Sequence, residues 1–248
     1  MPAALEIAYA GARFYEPPSP VMVALNPRWH RFAQWSALRD HVAAQLLECA
    51  NNAIAARGAF HIALAGGRTP QDIYAQLTSA ATDWRAWQVY FGDERCLPRG
   101  DAGRNDTQAA RSWLQQVPIP AAQIHAIPAE LGAEQGSLEY ARTLQGLAEF
   151  DLVLLGVGED GHTASLFPGR AQPDAAVFAV YGAPKPPPER ISLSAARLSA
   201  ARAVWFIASG EDKRDALSRW RAGATMPAAL VAPAAGVDIY TDVDLGGN

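Results

Sequence analysis

The sequence contains only two cysteines, Cys49 and Cys96, among 248 residues. They are too few for the disulfide framework of a secreted protein, and they do not form a Cys-x-x-Cys metal or redox pair. We therefore expect a reducing compartment, the cytoplasm, and no metal held by cysteine.

Positive charge is also scarce, because 21 lysines and arginines stand against 25 aspartates and glutamates and give a net charge of −4. This balance provides no basic surface of the kind that binds nucleic acid. The first 20 residues lack a basic n-region, and no apolar run there is long enough for a signal peptide or a membrane span. We expect a small-molecule ligand, with neither nucleic acid nor a membrane as a partner.

The chain does have enough apolar material for one sizeable core, since 50% of its residues are hydrophobic and 19% are charged. We expect a single α/β domain over residues 26–248. Residues 1–25 are expected to form an N-terminal extension that could be flexible, although its segment Glu16-Pro-Pro-Ser-Pro20 favours stiff, extended backbone.

Short apolar runs alternate with segments of helical periodicity along the rest of the chain. The predicted strands cover residues 60–65, 87–91, 124–128, 152–155, 176–181, 203–208 and 237–241. The predicted helices cover residues 36–57, 70–77, 133–149 and 211–221. This alternation predicts an α/β fold with a mostly parallel, doubly wound sheet flanked by helices.

Two of these helices have features that predict their ends or their buried face. Ser36 is expected to cap the N-terminus of the first helix, and Gly58 occupies the position of a C-terminal cap. The helix over residues 133–149 is expected to bury Leu138 and Leu144, which fall on one face at helical spacing.

The segment that follows the apolar run over residues 152–155 changes character abruptly. Its sequence is Gly156-Val-Gly-Glu-Asp-Gly-His162, in which the glycines permit tight turns and the ionisable groups come just after the end of a strand. Open α/β sheets bind ligands at the carboxyl ends of their strands. An unperturbed histidine has a pKa near 6.5, so His162 is a candidate general base, although it could also be a hydrogen-bonded surface group beside Asp160.

A second segment, Gly66-Gly-Arg-Thr-Pro70, joins the strand over residues 60–65 to the helix that is predicted to begin at Pro70. Glycines let backbone N–H groups approach an anion, Thr69 adds a hydroxyl donor, and the helix N-terminus adds partial positive charge. These features predict a phosphate site. The alternative is an ordinary turn between a strand and a helix.

Charged residues also follow the strand over residues 87–91, where Asp93-Glu-Arg95 falls in a predicted loop over residues 92–98. Arg95 could bind a phosphate or a carboxylate with two hydrogen bonds. Further along, a proline-rich loop over residues 182–190 carries Lys185 and Arg190. Each of these two cations could instead be plain surface charge.

The stretch Gly156-Val-Gly-Glu-Asp-Gly-His-Thr-Ala-Ser-Leu-Phe-Pro-Gly169 resembles the signature loop of the 6-phosphogluconolactonases. Residues 63–70, 89–98 and 184–194 resemble the same family, in the same order along the chain. The resemblance implies the fold of sugar-phosphate isomerases and deaminases and hydrolysis of 6-phospho-D-glucono-1,5-lactone in the oxidative pentose phosphate pathway. It implies no metal and no organic cofactor. We expect a metal-independent monomer whose partner is a phosphorylated sugar lactone.

The resemblance also implies roles for individual residues. His162 would be the base, Asp160 would orient its imidazole, and Arg95 would face the developing negative charge. The residues implied in substrate binding are Gly66, Gly67, Arg68, Thr69, Asp93, Lys185 and Arg190. The sequence departs from the family pattern at Arg68, where a small hydroxyl residue is frequent, and at Arg104, where the family often has serine. Water is the expected nucleophile, because no Gly-x-Ser-x-Gly motif is present.

Two other functions remain open on the sequence. An amino-sugar-phosphate deaminase or isomerase would share the fold, but such enzymes resemble one another in placing a glutamate five residues after the histidine, where this chain has Phe167. A non-enzymatic sugar-phosphate sensor would need a DNA-binding or partner segment. The first 35 residues contain neither a helix-turn-helix pattern nor a cluster of basic residues.

Overall fold

The computed structural model describes residues 27–171 and 173–246. The predicted N-terminal extension, residues 1–25, lies outside these residues and stays a prediction. Within the described residues, two sheets form, one parallel and one antiparallel. No helix in residues 27–171 and 173–246 is long and apolar enough to cross a membrane.

The parallel sheet has six strands in the spatial order β1-β9-β8-β5-β2-β3 within the described residues. These strands are β1 (Arg28–Arg31), β2 (Phe60–Leu64), β3 (Trp87–Phe91), β5 (Phe150–Gly156), β8 (Ala201–Ala208) and β9 (Val237–Thr241). The predicted parallel α/β architecture is confirmed. Because β2 lies between β5 and β3, the three polar segments found in the sequence leave neighbouring strands at the same edge of the sheet.

The antiparallel sheet was not predicted, and its spatial order is β4-β7-β6. Its strands are β4 (Asp93–Arg95), β6 (Val177–Val180) and β7 (Arg190–Leu193). The prediction of a loop over residues 92–98 is therefore wrong for Asp93–Arg95, because pairing with a distant strand makes these three charged residues extended. The register sets Arg95 opposite Arg190, which brings two predicted site cations together.

The first helix, α1 (Trp35–Arg57), packs against the parallel sheet through Leu38, Val42 and Leu46, which are fully buried. The predicted cap at Ser36 is wrong: the helix begins one residue earlier, and its N-cap residue makes no side-chain hydrogen bond. The predicted C-terminal cap is confirmed, since Gly58 has φ of 78° and its N–H donates to the Ile54 carbonyl.

The helix α4 (Ala133–Thr143) ends at Thr143 instead of residue 149, and Leu138 on it is 51% exposed, so its predicted burial is wrong. The buried face instead includes Gly136 and Tyr140. At Gly136 a Cβ atom would lie 2.5 Å from Cδ1 of Ile191, so the absence of a side chain lets this face approach β7 closely. Leu144, just after the helix, is buried as predicted.

The predicted strand over residues 124–128 is reduced to a single parallel bridge between Ile124 and Val89. A 3-10 turn at Ala121–Gln123 precedes it and Pro128 follows it, which leaves too little free backbone for a ladder. The remaining helices are α2 (Arg68–Gln76), α3 (Asn105–Ala109), α5 (Ala195–Ser199) and α6 (Arg214–Arg221).

Candidate active site

A cavity of about 430 Å³ lies at the carboxyl ends of β2, β3 and β5. Its polar and glycine lining comes from all three strand ends, from the proline-rich loop, from the start of α3 and from the turn before α6. These residues include Gly66, Gly67, Asp93, Arg95, Asn105, Gly158, His162, Lys185, Arg190 and Lys213. The cavity thus brings together most of the residues that the sequence singled out.

The imidazole of His162 is held by the carboxylate of Asp160, with 2.5 Å between His162 Nδ1 and Asp160 Oδ1. The same oxygen accepts a second hydrogen bond, of 3.1 Å, from the backbone N–H of His162. Burial alone would raise the pKa of the Asp160 carboxyl, but the hydrogen bonds from His162 outweigh it and hold that pKa below its ordinary value. An ionised Asp160 cannot donate, so Nδ1 carries the proton and Nε2 of the neutral ring is left as an acceptor.

Gly158 makes this arrangement possible, because a Cβ atom there would lie 2.0 Å from Nδ1 of His162 and 2.7 Å from Oδ1 of Asp160. Short backbone bonds fix the same loop. The N–H of Gly158 donates to the His162 carbonyl over 2.7 Å, and the N–H of Gly161 donates to the Gly158 carbonyl over 2.9 Å. The imidazole is therefore presented by a tightly turned segment.

The ring of Phe167 forms an apolar wall of the cavity and is itself 5% exposed. Its centroid lies 5.1 Å from that of the His162 ring. Cζ of Arg190 lies 5.6 Å from the same phenyl centroid, within the range of a cation–π contact. Phe167 thus touches both the imidazole and one cation of the cavity.

The glycine turn after β2 leads directly into α2, which begins at Arg68, two residues before the predicted start at Pro70. Gly67 is the N-cap residue and has φ of 102°, a conformation that favours glycine. The N–H groups of Gly67 and Arg68 make no hydrogen bond within the described part of the chain. Gly66 and Gly67 line the cavity, whereas Arg68 and Thr69 do not, so the predicted substrate contacts of those two residues stay predictions.

The cavity is cationic, since Arg95, Lys185, Arg190 and Lys213 line it within the described residues. Nη1 of Arg95 donates to the Gly103 carbonyl over 2.5 Å. Arg190 is buried, and its Nη2 donates to the Lys185 carbonyl over 2.8 Å while its Nε donates to a second carbonyl of the proline-rich loop. Arg190 therefore shapes the loop that carries Lys185.

Lys213 and Asn105 line the cavity but were not predicted as site residues. Lys213 ends a 3-10 turn that follows Gly210, just beyond the carboxyl end of β8. The sequence feature that could have identified Lys213 is a glycine after a strand followed by a cation; Gly66-Gly-Arg68 has the same pattern, although there the cation does not line the cavity. Asn105 gave no comparable signal, because its position depends on the fold of the segment between β4 and α3.

Asn105 is 3% exposed and fastens Asp93, since its Nδ2 donates to the Asp93 carbonyl over 2.8 Å and to Asp93 Oδ1 over 3.1 Å. The other carboxylate oxygen of Asp93 accepts a 2.6 Å hydrogen bond from Ser165 Oγ. At Gly66 a Cβ atom would lie 1.9 Å from Asn105 Oδ1, so this turn also requires glycine. Through these side chains Asp93 connects α3 to the segment after β5 that carries His162 and Ser165.

Arg104, the second departure from the family pattern, is 1% exposed and does not line the cavity. Its guanidinium donates to Asp106 over 2.7 Å and to Glu130 over 2.9 Å. Beside it the buried Glu94 carboxylate accepts backbone N–H bonds from three residues. Burial raises the pKa of Glu94 to about 7, against the lowering effect of those N–H groups. This charged cluster anchors the start of α3.

Within residues 27–171 and 173–246, no group of three or more His, Cys, Asp or Glu side chains could hold a metal ion. The expectation of a metal-independent enzyme stays a prediction.

The family model described as glucosamine-6-phosphate isomerases/6-phosphogluconolactonase matches residues 33–240. A 6-phosphogluconolactonase from Streptomyces coelicolor is 39% identical over 220 residues, which cover 80% of this chain and 83% of that protein. A 6-phosphogluconolactonase from Mycobacterium leprae is 34% identical over 214 residues, which cover 79% and 86%.

Solved structures are similar as well. The crystal structure of a 6-phosphogluconolactonase from Shewanella baltica has a TM-score of 0.76 at 27% identity and covers 87% of this chain and 97% of that one. The 6-phosphogluconolactonase from Thermotoga maritima has a TM-score of 0.82 at 23% identity, covering 87% and 99%. The second of these supports the fold alone.

Proposed function

The chain belongs to the glucosamine-6-phosphate isomerase/6-phosphogluconolactonase family, and we propose that it hydrolyses 6-phospho-D-glucono-1,5-lactone with His162 activating the water. One observation carries the proposal. The imidazole of His162, backed by the Asp160 carboxylate, lines the same cavity as a glycine turn and several cations. A base and a phosphate site within one small cavity are what a phosphorylated lactone requires.

The reaction asks little of the protein beyond positioning and a base, because the acyl carbon of a lactone is already reactive. Nε2 of His162 takes a proton from a water molecule as the water oxygen forms a bond to C1 of the lactone. The C1–O bond of the ring then breaks, and the ring oxygen takes up the proton from the imidazolium. The product has a carboxyl group at C1 and a free hydroxyl at C5, and the carboxyl group then ionises.

Asp160 keeps His162 in the tautomer that can accept this proton and stabilises the imidazolium that forms. The tetrahedral intermediate carries negative charge on the former carbonyl oxygen. Arg95 is the candidate to face that charge, because its guanidinium lines the cavity and the backbone carbonyl of Gly103 orients it.

The phosphate of the substrate would bind the N–H groups of the glycine turn together with the cavity cations. Arg190 can offer Nη1, which has no hydrogen-bond partner among the described residues, while Nε and Nη2 hold the proline-rich loop. Lys185, predicted from the sequence, and Lys213, which was not predicted, are further candidates to bind the phosphate.

A deaminase or isomerase function is not favoured, because Phe167 occupies the position at which those enzymes resemble one another in having a glutamate. A phenyl ring cannot exchange a proton during opening of a pyranose ring. Because the phenyl ring contacts the His162 ring, Phe167 fits the role of an apolar wall beside the imidazole, and not that of a second acid.

The test is acid release from freshly prepared phosphogluconolactone, measured above the spontaneous rate. We expect rapid hydrolysis by the wild type and a loss of about two to four orders of magnitude in turnover for His162→Ala, the usual range for a general base. Binding of 6-phosphogluconate should survive in the variant.

Near-wild-type turnover of His162→Ala would remove His162 from the mechanism. Release of ammonia from glucosamine 6-phosphate at comparable efficiency, with no lactone hydrolysis, would replace the lactonase assignment by the deaminase one.

A further inference from the structure

Each lysine of the described cavity lining is paired with a carboxylate that lies outside the lining. Nζ of Lys185 lies 3.7 Å from Oε1 of Glu159, and Nζ of Lys213 lies 2.8 Å from Oδ2 of Asp212. Both carboxylates are exposed, with 58% and 55% of their side chains accessible. The lysines that face the cavity therefore already have counter-charges.

The two pairs occupy one rim of the cavity and come from separate elements. Glu159 lies in the loop after β5 that carries His162, and Lys185 lies in the proline-rich loop. Asp212 and Lys213 both lie in the turn before α6. The hydrogen bond from Lys213 holds the pKa of the Asp212 carboxyl below its ordinary value, and the charge of Lys185 lowers it further. Each carboxylate thus has its own paired lysine, and the charge of Lys185 adds a smaller effect on Asp212.

The backbones on both sides of the Glu159–Lys185 pair are held by hydrogen bonds, whereas the two side chains are exposed and have several rotatable bonds. Arg190 ties down the carbonyl of Lys185, and the N–H of Gly158 donates to the His162 carbonyl. Rearrangement at this rim therefore requires side-chain motion alone. A lysine that turns from its carboxylate to a bound anion exchanges one ion pair for another.

We propose that Glu159 and Asp212 are affinity-setting residues, which compete with the anionic groups of the ligand for Lys185 and Lys213. This inference rests on the proposed function. Lactone hydrolysis adds a carboxylate to a molecule that already carries a phosphate, so the product is more negative than the substrate. Because each carboxylate draws its lysine away from a bound anion, the two pairs weaken the hold of the lysines on this more negative product, which favours product release.

The test is calorimetric titration of 6-phosphogluconate into the wild type and a crossed set of variants. Glu159→Gln and Asp212→Asn should each lower the Kd about 1.5- to 5-fold, the range set by exposed ion pairs, and the effect should shrink at high salt. In a Lys185→Met background the effect of Glu159→Gln should vanish, whereas in a Lys213→Met background it should persist.

The reverse pattern is expected for Asp212→Asn, whose effect should vanish with Lys213→Met and persist, at least in part, with Lys185→Met. Glu189→Gln is the matched control, because it removes the same charge from the proline-rich loop while Glu189 forms no ion pair within the described residues. Its Kd should equal that of the wild type.

Unchanged affinity in both Glu159→Gln and Asp212→Asn would overturn the inference. So would tighter binding that survives removal of the partner lysine, because this would be an effect of net charge. A wild type that does not bind 6-phosphogluconate would overturn the proposed function and this inference with it. A wild type that binds without the crossed pattern would overturn this inference alone.

Discussion

At the scale of single residues, Gly158 determines whether His162 and Asp160 can take up their positions. These two side chains fill the space in which a side chain of residue 158 would lie. The φ of Gly158 is not among the positive values that disfavour a side chain, so the backbone itself can accept alanine. The conflict is purely one of contact, since the Cβ atom would lie 2.0 Å from Nδ1 of His162. Close contacts of this kind force a side chain or its loop to move.

We predict that Gly158→Ala lowers turnover by about 100-fold or more, which is the lower range of general-base catalysis, because the imidazole is displaced. The affinity for 6-phosphogluconate should change far less, and the thermal midpoint should show that the variant is folded. Gly156→Ala, at the last residue of β5, is the matched control, since a Cβ atom there meets nothing within 4 Å. Equal turnover of both variants would show that Gly158 does not position the base.

Single residues were predicted from the sequence where a motif combined chemistry with the end of a strand. His162, Gly66 and Arg95 all satisfy that condition and all line the cavity. Asn105 could not be found in this way, because its contact with Asp93 depends on how the chain folds back between β4 and α3. Arg68 shows the converse, since it sits within a motif and yet is exposed outside the cavity.

At the scale of elements, the antiparallel pair of β4 and β7 decides which cations meet. Short strands of this kind carry no periodic signal, so a sequence that reads as two charged loops becomes a ladder with Arg95 opposite Arg190. The helices were predicted better, because their apolar spacing is long and regular. On α4 the face toward β7 includes Gly136, whose missing side chain permits a close approach, while Leu138 faces away.

Arg190 connects separate elements, because its guanidinium, which projects from β7, bonds to the proline-rich loop and lies over the ring of Phe167. We predict that Arg190→Ala weakens binding of 6-phosphogluconate by about 10- to 100-fold, the equivalent of one charge-assisted hydrogen bond of about 1.5 to 3 kcal/mol. Arg190→Lys should recover part of this loss, since it restores the charge but not the hydrogen bonds to two loop carbonyls. The measurement is calorimetric titration, with a thermal melt as the folding control.

Full recovery by Arg190→Lys would mean that only the charge matters and that the loop needs no support. Wild-type affinity of Arg190→Ala would mean that the phosphate binds elsewhere.

At the scale of the whole molecule, the alternation of strands and helices was enough to predict the parallel sheet, because each strand is a compact apolar run. The spatial order of the strands and the small second sheet were beyond that information, since both depend on contacts between distant segments. Titratable groups outside the candidate site make the stability of the whole fold depend on pH. They include His61, His125 and Glu94.

His61 and His125 lie on either side of Tyr90, with ring centroids 6.0 Å and 4.4 Å from the tyrosine ring. Burial lowers the pKa of both histidines below the ordinary value of 6.5, and the charge of His61 lowers that of His125 further. The folded state therefore binds fewer protons at these sites than the unfolded chain does. Their contribution to stability is complete above the unfolded pKa and is lost as the pH falls through the lower folded values.

Glu94 acts in the opposite sense, because burial raises its pKa to about 7 from an ordinary value of 4.5. The folded state holds a proton at this carboxyl that the unfolded chain has already released. Its contribution is complete below pH 4.5 and is lost as the pH rises to about 7. The histidines and Glu94 therefore oppose one another over much of the same acidic range, and the wild type shows only their difference.

Replacement of the histidines separates the two effects. We predict that the double variant His61→Gln, His125→Gln loses less stability than the wild type when the pH is lowered from about 7.5 to about 5, because no half-buried imidazole has to be protonated. Urea unfolding at a series of pH values measures the difference, and His41→Gln is the matched control for loss of an exposed histidine. A double variant that loses as much stability on acidification as the wild type would show that the stacked histidines do not control the acid limit, and that carboxyl groups with a lowered pKa in the folded state, such as Asp160, set it instead.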